Sequence, residues 1–304
     1  MASAFVSVEQ TVSYLEVCLR QFLRLHERVF VCMPNLGPDS IGGMLETAVH
    51  KLNCKPILLG EDRRWKTLLR QAFDSRCSAL IGHPRLVLGL TKLAQATGTP
   101  LYIRNVMLVG EPCMPWMAEG IQRGLDCRIW GCFDPLDGKI IAGFSCGKSW
   151  GVHLWEDAYR AEIWDEEDRP FSDDRIGEIV LIPKAEPHRV IRTGDRGRLL
   201  REKCRCGSTV ARIMDIAHGS KLDPVLLSLQ EDMLLWSSVL DFRVRRSSMG
   251  LDMEIVTFPS ERLPKIPSCA KLNIRPWRPE EDIPYCMHDS WNIPVFSGEM
   301  FVCQ

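Results

Sequence analysis

The sequence predicts an α/β protein with a doubly wound, mainly parallel sheet, followed by a β-rich subdomain and a small α+β C-terminal domain. Three observations predict it. Up to about residue 135, short apolar strands alternate with helical segments of roughly ten to fifteen residues, the pattern of parallel strands joined by crossover helices. Between residues 139 and 215 only short β-runs remain. Beyond residue 219 helix and strand patterns are mixed.

The first helix and the first strand illustrate the sequence patterns that predict helices and strands. Between residues 8 and 25, apolar side chains recur at the three- and four-residue spacing of an amphipathic helix. Residues 29–33 form an apolar run that Pro34 ends, which predicts a short buried strand. By the same signals the chain continues with helices at 44–52, 65–75, 85–96 and 111–125, and with strands at 56–59, 79–81, 105–109 and 127–130.

The second half of the chain divides into two further regions. Strands of the β-rich region are predicted at 151–155, 159–164, 177–182 and 197–200. A helix at 225–235 and strands at 240–245 and 253–258 follow, before a proline-rich tail. We therefore predict a core of residues 1–218, with an α/β layer to about residue 135 and a β-rich subdomain at about 139–215, and a small C-terminal domain of residues 219–304.

The composition excludes several classes of protein. Of the 304 residues, 45% are apolar and 25% are charged, which indicates a globular chain rather than a disordered one. Because 38 basic residues oppose 39 acidic ones, no global field attracts nucleic acid or an anionic membrane. The first ten residues lack the pattern of a signal peptide. We expect a cytoplasmic protein without a nucleic-acid or membrane partner.

Thirteen cysteines are the one excess in the composition. In a reducing cytosol most would be small buried side chains, and a tight cluster favours a metal over a disulfide. Cys204 and Cys206 form a C-x-C turn, while Cys146 and His153 flank a short turn earlier in the β-rich region. Three thiolates and one imidazole suit a tetrahedral structural zinc ion. The alternative is a set of unrelated reduced thiols with a core histidine.

Two further segments match nucleotide-binding patterns only in part. Residues 142–149, AGFSCGKS, lack the first glycine of the phosphate-cradling loop and precede a predicted strand rather than a helix, so we predict a surface loop. The segment Arg192-Thr193-Gly194-Asp195 predicts a tight turn that presents the Asp195 carboxylate at an exposed corner. Such a carboxylate suits a vicinal diol such as a ribose. The alternative is an ordinary hairpin turn.

Several motifs occur together in one order along the chain. They are Gly110-Glu111-Pro112, Trp130-Gly131-Cys132-Phe133-Asp134, GVHLWED at 151–157, GEIVL at 177–181, IRTGD at 191–195 and Cys204-Arg205-Cys206-Gly207. With this order and spacing, residues 34–219 resemble the phenylacetate-CoA ligase branch of the adenylate-forming enzymes. The resemblance implies a doubly wound core subdomain, a β-rich subdomain and a small mobile C-terminal domain.

The resemblance also implies roles for individual residues. Asp195 matches the aspartate that holds the ribose hydroxyls of ATP, and Gly110-Glu111-Pro112 matches the loop beside the adenine. The segment from Trp130 through Gly131 to Asp134 matches an aromatic-Gly-x-Thr-Glu motif, whose threonine contacts phosphate and whose glutamate organises Mg²⁺. Here a phenylalanine replaces the threonine, and Asp134 keeps a carboxylate on a shorter side chain. Relatives in this branch also pair a Cys-x-Cys-Gly turn with an earlier cysteine and Gly-x-His, which matches the four candidate zinc ligands.

Two family features have no counterpart in the sequence. No Ser/Thr/Gly-rich phosphate loop precedes Val8, so the resemblance implies a truncated core. Residues 218–223, HGSKLD, stand where the family hinge reads Gly-Arg-x-Asp-Asp, and no later lysine matches the catalytic one.

The sequence therefore leaves three functional hypotheses, all with ATP or AMP and a carboxylic acid as small-molecule partners. The first is an ATP- and Mg²⁺-dependent ligase that activates an aryl or other carboxylic acid as an acyl-adenylate, with transfer to CoA as an extension. The second is a non-catalytic protein that binds nucleotide or acid and is held together by zinc. The third is one part of a split ligase, whose phosphate loop comes from a second copy in a homodimer or from a companion chain.

Overall fold

Eleven strands form one continuous sheet in this computed structural model, which describes residues 6–60, 64–110, 113, 115–136, 140–170, 172–218, 235–247, 250–258 and 270–278. The helices of the described residues are α1 (Val8–Leu19), α2 (Ile41–Lys51), α3 (Trp65–Ser75), α4 (Pro84–Thr97) and α5 (Pro115–Leu125). The strands of the first half are β1 (Arg28–Cys32), β2 (Lys55–Leu58), β3 (Ala79–Gly82), β4 (Asn105–Leu108) and β5 (Arg128–Phe133). The predicted alternation of helices and strands is confirmed.

The second half of the sheet is antiparallel. Its strands are β6 (Gly143–Phe144), β7 (Val152–Leu154), β8 (Tyr159–Trp164), β9 (Gly177–Pro183), β10 (Ile191–Leu200) and β11 (Arg212–His218). The strand order is β2-β1-β3-β4-β5-β6-β7-β11-β10-β9-β8, with parallel pairing from β2 to β5 and antiparallel pairing beyond. The predicted fold class is confirmed, and the β-rich region extends the parallel sheet.

Helices cover both faces of the parallel half. Side chains of a strand alternate between faces, so on β1 Phe30 packs with α3, α4 and α5 while Val29 and Val31 pack with α1 and α2. The β-rich half encloses a third apolar cluster, which contains Phe133, Val152, Tyr159 and Ile179.

Helix α1 is shorter than the periodicity predicts. It begins with a capping box, in which the Ser7 hydroxyl accepts from the Gln10 amide and the Gln10 side chain accepts from the Ser7 amide. It ends at Leu19, yet Phe22 and Leu23 remain buried in the turns that follow. The apolar stripe therefore continues past the end of the helical backbone. For this reason the sequence predicts a helix that extends to residue 25.

Three strands beyond residue 235 form a separate sheet. They are β12 (Val239–Ser247), β13 (Gly250–Thr257) and β14 (Ala270–Pro276), in the order β12-β13-β14. Two of them confirm predicted strands, and β14 lies in the segment that the sequence analysis assigns to a proline-rich tail. The predicted domain boundary at 219 and nearly all of the predicted helix 225–235 lie outside the described residues.

The C-terminal sheet packs against helix α4. Val239, Ile255 and Phe258 belong to the same apolar cluster as α3 and α4. The buried Lys92 of α4 donates to the carbonyl oxygens of Trp236 at 2.9 Å and Val239 at 2.8 Å. Together with α3 and α5, this sheet buries α4 along nearly its whole length.

Candidate functional site

A large cavity lies where the parallel and antiparallel halves of the sheet meet. Its volume is about 2760 Å³, well above the roughly 300–1000 Å³ of a pocket for one small ligand. Gly110 and Asp134 line it from the parallel half and Asp195 from the β-rich half, while Tyr14 lines it from α1. No described residue of the C-terminal sheet lines it. The cavity has room for a nucleotide and a second small molecule.

Asp134 lies at the end of β5, where parallel strands place their carboxyl-terminal groups side by side. It follows β5 directly, and Gly110 follows the neighbouring strand β4. The Gly110 amide donates to the Asp134 Oδ2 at 2.6 Å. Only 5% of Asp134 is exposed. Two predicted motifs therefore meet through one hydrogen bond. Glu111 and Pro112, the rest of the adenine-loop motif, lie outside the described residues.

Phe133 and Trp130 show how the backbone of β5 distributes its side chains. Phe133 packs into the apolar cluster of the β-rich half, at the position that matches the threonine of the family motif. Trp130 packs on the opposite face, stacked on Phe22 with ring centroids 5.0 Å apart. Its indole Nε1 donates to the Asn105 Oδ1 at 3.2 Å. Both rings are more than nine-tenths buried, so Trp130 is held as a core side chain beside the cavity.

Asp195 lies inside a strand, so the predicted exposed turn at residues 192–195 is wrong. Strand β10 runs without a break through this segment, and its register with β9 shifts between Arg192 and Arg196. Gly194 has φ +75°, a left-handed conformation that glycine adopts without strain. The bulge takes the place of the turn and brings Asp195 to 3% exposure, on the wall of the cavity.

Thr193 fixes the backbone of the bulge next to Asp195. Its hydroxyl donates to the Ile179 carbonyl oxygen at 2.6 Å and accepts from the Asp195 amide at 3.1 Å. Thr193 and Gly194 thus set the backbone conformation of the bulge, and Asp195 is the residue of the motif that lines the cavity.

The four candidate metal ligands lie together. The ligand atoms of Cys146, His153, Cys204 and Cys206 are all within 4.8 Å of one another. Cys146 Sγ is 3.6 Å from Cys204 Sγ, and Cys206 Sγ is 3.5 Å from His153 Nε2. Residues from three places in the chain form this cluster: the loop after β6, strand β7 and the turn between β10 and β11.

The geometry of the Cys/His cluster fits a tetrahedral ion. Zinc–sulfur bonds of about 2.3 Å at tetrahedral angles separate two sulfur atoms by about 3.8 Å, close to the Cys146–Cys204 distance. Burial raises the pKa of the Cys204 thiol, but hydrogen bonds from the Cys206 backbone and the Ser149 hydroxyl outweigh it and lower the pKa to about 6. Metal ligation requires a thiolate, so these hydrogen bonds favour the ligating form of Cys204, whereas burial raises the pKa of the Cys206 thiol.

Ser145 contacts the motif on β5, and the sequence analysis did not predict this contact. Its hydroxyl accepts from the Gly131 amide at 2.8 Å, and its own amide donates to the Gly131 carbonyl oxygen at 2.8 Å. Its position directly before Cys146 is the one signal in the sequence that places it near a site. Ser145 thus connects the cavity motif on β5 to the loop that carries Cys146.

None of the described helices is long and apolar enough to cross a membrane. The prediction of a surface loop over residues 142–149 is wrong at its start, because Gly143 and Phe144 form the buried strand β6 and only the residues from Ser145 onward form a loop. Strand β7 follows this loop, as predicted, and not a helix.

Comparison with known proteins identifies the architecture. No model of a protein family matches the sequence, and no curated protein is similar to it. A solved structure of 2-hydroxyisobutyryl-CoA ligase in the postadenylation state, in complex with 2-HIB-AMP, is similar with a TM-score of 0.66 at 14% identity, over 88% of this chain and 65% of that chain.

Two further solved structures are similar over a smaller share of their length. They are a benzoate CoA ligase from Burkholderia xenovorans LB400, with a TM-score of 0.55 at 14% identity, and the amide bond synthetase McbA from Marinactinospora thermotolerans, with a TM-score of 0.50 at 13% identity. In each case the similarity covers 83% of this chain and 56% of the other. The chain spans less than two thirds of the length of these structures, and its fold is that of the adenylate-forming ligases.

Proposed function

We propose that this chain binds an adenine nucleotide and a carboxylic acid in the cavity between the two halves of its sheet, as an adenylate-forming protein of the phenylacetate-CoA ligase type. One observation carries the proposal. Asp134 and Asp195, one from each half, are almost fully buried carboxylates on the wall of the same cavity. Both positions match nucleotide-binding residues of the family that the sequence resembles.

The two carboxylates have different roles in the proposed site. Asp195 accepts hydrogen bonds from the ribose hydroxyls, an acceptor-only group suited to a vicinal diol. Asp134 would hold Mg²⁺, a hard cation that proteins bind through one or two carboxylates together with substrate phosphates. When bound, Mg²⁺ offsets the negative charge of the phosphates. The Gly110 amide orients the Asp134 carboxylate through its 2.6 Å hydrogen bond.

The proposed reaction is a displacement at the α-phosphorus of ATP. A carboxylate oxygen of the acid forms a bond to that phosphorus, the bond to the bridging oxygen breaks, and pyrophosphate leaves with its electron pair. The products are an acyl-adenylate and pyrophosphate. Positioning of the two reactants supplies much of the acceleration in such a step. The complex of 2-hydroxyisobutyryl-CoA ligase with 2-HIB-AMP supports this class of intermediate for the fold.

We further propose that the Cys/His cluster holds a structural zinc ion. Three sulfur atoms and one nitrogen would complete a tetrahedral shell around the ion, with no open position for substrate. The cluster therefore supplies folding free energy rather than Lewis-acid chemistry.

A second candidate function is binding without catalysis. It is favoured by Phe133, whose ring packs into the β-rich core at the position where the family motif has a phosphate-binding threonine. In this reading the ribose contact at Asp195 remains, and the contact to the transferred phosphate is lost.

Two measurements on the full chain test these functions. ATP–pyrophosphate exchange with a panel of aryl and aliphatic acids detects the first half-reaction, and calorimetry with AMP detects binding alone. The ligase is supported if ATP–pyrophosphate exchange is lost when Asp195 is replaced and is retained in the control Asp74→Asn, at an exposed position of α3. AMP binding without exchange supports the second function. If the chain shows no exchange and does not bind AMP, both functions are contradicted.

A further inference from the structure

The sheet is weakest where its two halves join. Strand β6 has two residues and β7 has three, and the contacts β5–β6, β6–β7 and β7–β11 each consist of two residue pairs. Ladders this short contribute little stability on their own. Asp134 lies on one side of this junction and Asp195 on the other. The spacing of the two carboxylates therefore depends on how firmly the junction is held.

The Cys/His cluster spans this junction. Cys146 follows β6 by two residues, and His153 lies within β7. Cys204 and Cys206 precede β11, whose Arg212 is the register partner of His153. An ion bound by all four residues would connect the segments of β6, β7 and β11 at one point. No other element of the described residues contributes a ligand atom to the cluster.

The loop between β6 and β7 also touches the cavity motif on β5. Ser145 forms two hydrogen bonds with Gly131, both at 2.8 Å. Gly147, with φ +64°, lies against the indole of Trp130, and a Cβ atom there would be 2.8 Å from the ring. At the far end of the loop, Arg212 Nη1 donates to the Trp150 carbonyl oxygen at 3.1 Å. Displacement of Cys146 would therefore move the groups that hold Gly131 and Trp130.

We propose that metal binding at the Cys/His cluster fixes the junction between the two halves of the sheet and thereby sets the relative position of Asp134 and Asp195, so that metal and nucleotide bind cooperatively. Ser145 is the positioning residue that transmits the effect to Gly131. The part that concerns the nucleotide rests on the proposed function, whereas the part that concerns the junction does not. Because coupling between two ligands is reciprocal, each should raise the affinity for the other by the same factor.

Hydrogen exchange tests the junction without any nucleotide. The full chain is stripped with a chelator, and half of it is reloaded with Zn²⁺. Zinc should increase the protection of amides in β5, β6 and β7, which lie at the junction, and leave those of α3 unchanged, because α3 is remote from the cluster. Equal protection of the junction in both samples would overturn the proposal, as would a gain spread uniformly over the chain.

Calorimetry tests the coupling. AMP should bind the zinc-loaded chain about tenfold more tightly than the stripped chain, within the usual range for two coupled sites. Ser145→Ala should keep one zinc per chain and lose most of this difference, while the control Ser13→Ala, on the exposed face of α1, should keep it. Equal AMP affinity with and without zinc would overturn the coupling and leave the proposed function standing. If AMP binds to neither the zinc-loaded nor the stripped chain, the proposed function is contradicted. Hydrogen exchange would then test by itself whether the metal fixes the junction.

Discussion

The Gly110 amide donates a 2.6 Å hydrogen bond to the Asp134 carboxylate, and this contact joins the ends of β4 and β5 at the cavity wall. A hydrogen bond to an ionised acceptor is short and about twice as strong as a neutral one. The bond therefore fixes both the backbone at Gly110 and the direction of the carboxylate. Two substitutions at Asp134 can therefore separate the effect of its charge from the effect of this hydrogen bond.

Asp134→Asn should impair Mg²⁺-dependent binding and leave the fold intact. The asparagine Oδ1 can still accept from the Gly110 amide, but the charge that attracts Mg²⁺ is lost. We expect the affinity for ATP with Mg²⁺ to fall about tenfold, which is about 1.4 kcal/mol, while AMP binding without Mg²⁺ changes little. Calorimetry with both ligands checks this. If the affinity for Mg²⁺-ATP is unchanged, Asp134 does not hold the cation.

Asp134→Ala should destabilise the protein, in contrast to the asparagine variant. The Gly110 amide loses its acceptor in a half-buried position, which costs about 1–3 kcal/mol. Urea unfolding of the two variants measures the difference. Equal stability of the alanine and asparagine variants would mean that the hydrogen bond contributes nothing to the fold.

Asp195→Ala should remove the discrimination between AMP and 2′,3′-dideoxy-AMP. The unchanged protein should prefer AMP by about 10- to 100-fold, because hydrogen bonds to a charged group contribute about 1.5–3 kcal/mol. In the variant both nucleotides should bind equally weakly. Asp174→Ala serves as control, because Asp174 is an exposed carboxylate in the connection between β8 and β9. A variant that still prefers AMP would show that the ribose is held elsewhere.

Cys204→Ser and Cys206→Ser should each abolish stoichiometric zinc binding and lower the melting temperature by about 3–5 °C, as expected for a loss of roughly 2–3 kcal/mol in a chain of this size. Metal analysis and thermal unfolding check both. The matched control is Cys54→Ser, because the Cys54 thiol donates to the Arg24 carbonyl oxygen and a serine hydroxyl can do the same. A full complement of metal in both ligand variants would exclude the cluster as the zinc site.

Patterns with a short period could be predicted from the sequence, and contacts that depend on register could not. The alternation of apolar strands and helices gives the parallel half, because period and strand length are local properties. The Cys/His cluster is also visible in the sequence, because so few residue types bind a soft metal. The bulge at Gly194 is different: whether a Thr-Gly-Asp segment turns or bulges depends on the pairing of β10 with β9, which no local pattern encodes.

The packing of the C-terminal sheet shows the same limit. Lys92 is a polar residue within a helical pattern, and the sequence gives no sign that its ammonium group reaches two carbonyl oxygens more than a hundred positions away. Strand β14 is likewise hidden by the prolines around it, because proline is uncommon in strands. Both features depend on which distant segment covers α4.

Lys92→Met should loosen the C-terminal sheet. Methionine fills a similar volume but leaves the carbonyl oxygens of Trp236 and Val239 without this donor, at a cost of about 2 kcal/mol. We expect faster hydrogen exchange in β12 and β13 and little change in β1 to β5. Lys66→Met, at an exposed position of α3, is the control. Exchange that accelerates equally throughout the chain would mean that Lys92 supports the core as a whole rather than this one sheet.

His83 should make the protein sensitive to acid. Burial, with a smaller contribution from Arg85, lowers the pKa of His83 from 6.5 to about 3. Between these values the unfolded chain binds a proton that the folded chain does not, so stability is complete above about pH 6.5 and falls as the pH decreases towards 3, by up to about 1.4 kcal/mol per pH unit. His83→Gln removes this titration, and its free energy of unfolding should depend less steeply on pH between 6 and 4. The exposed His50→Gln on α2 should keep the original slope. Urea unfolding at a series of pH values compares the three proteins, and identical slopes would mean that His83 takes up its proton in the folded state.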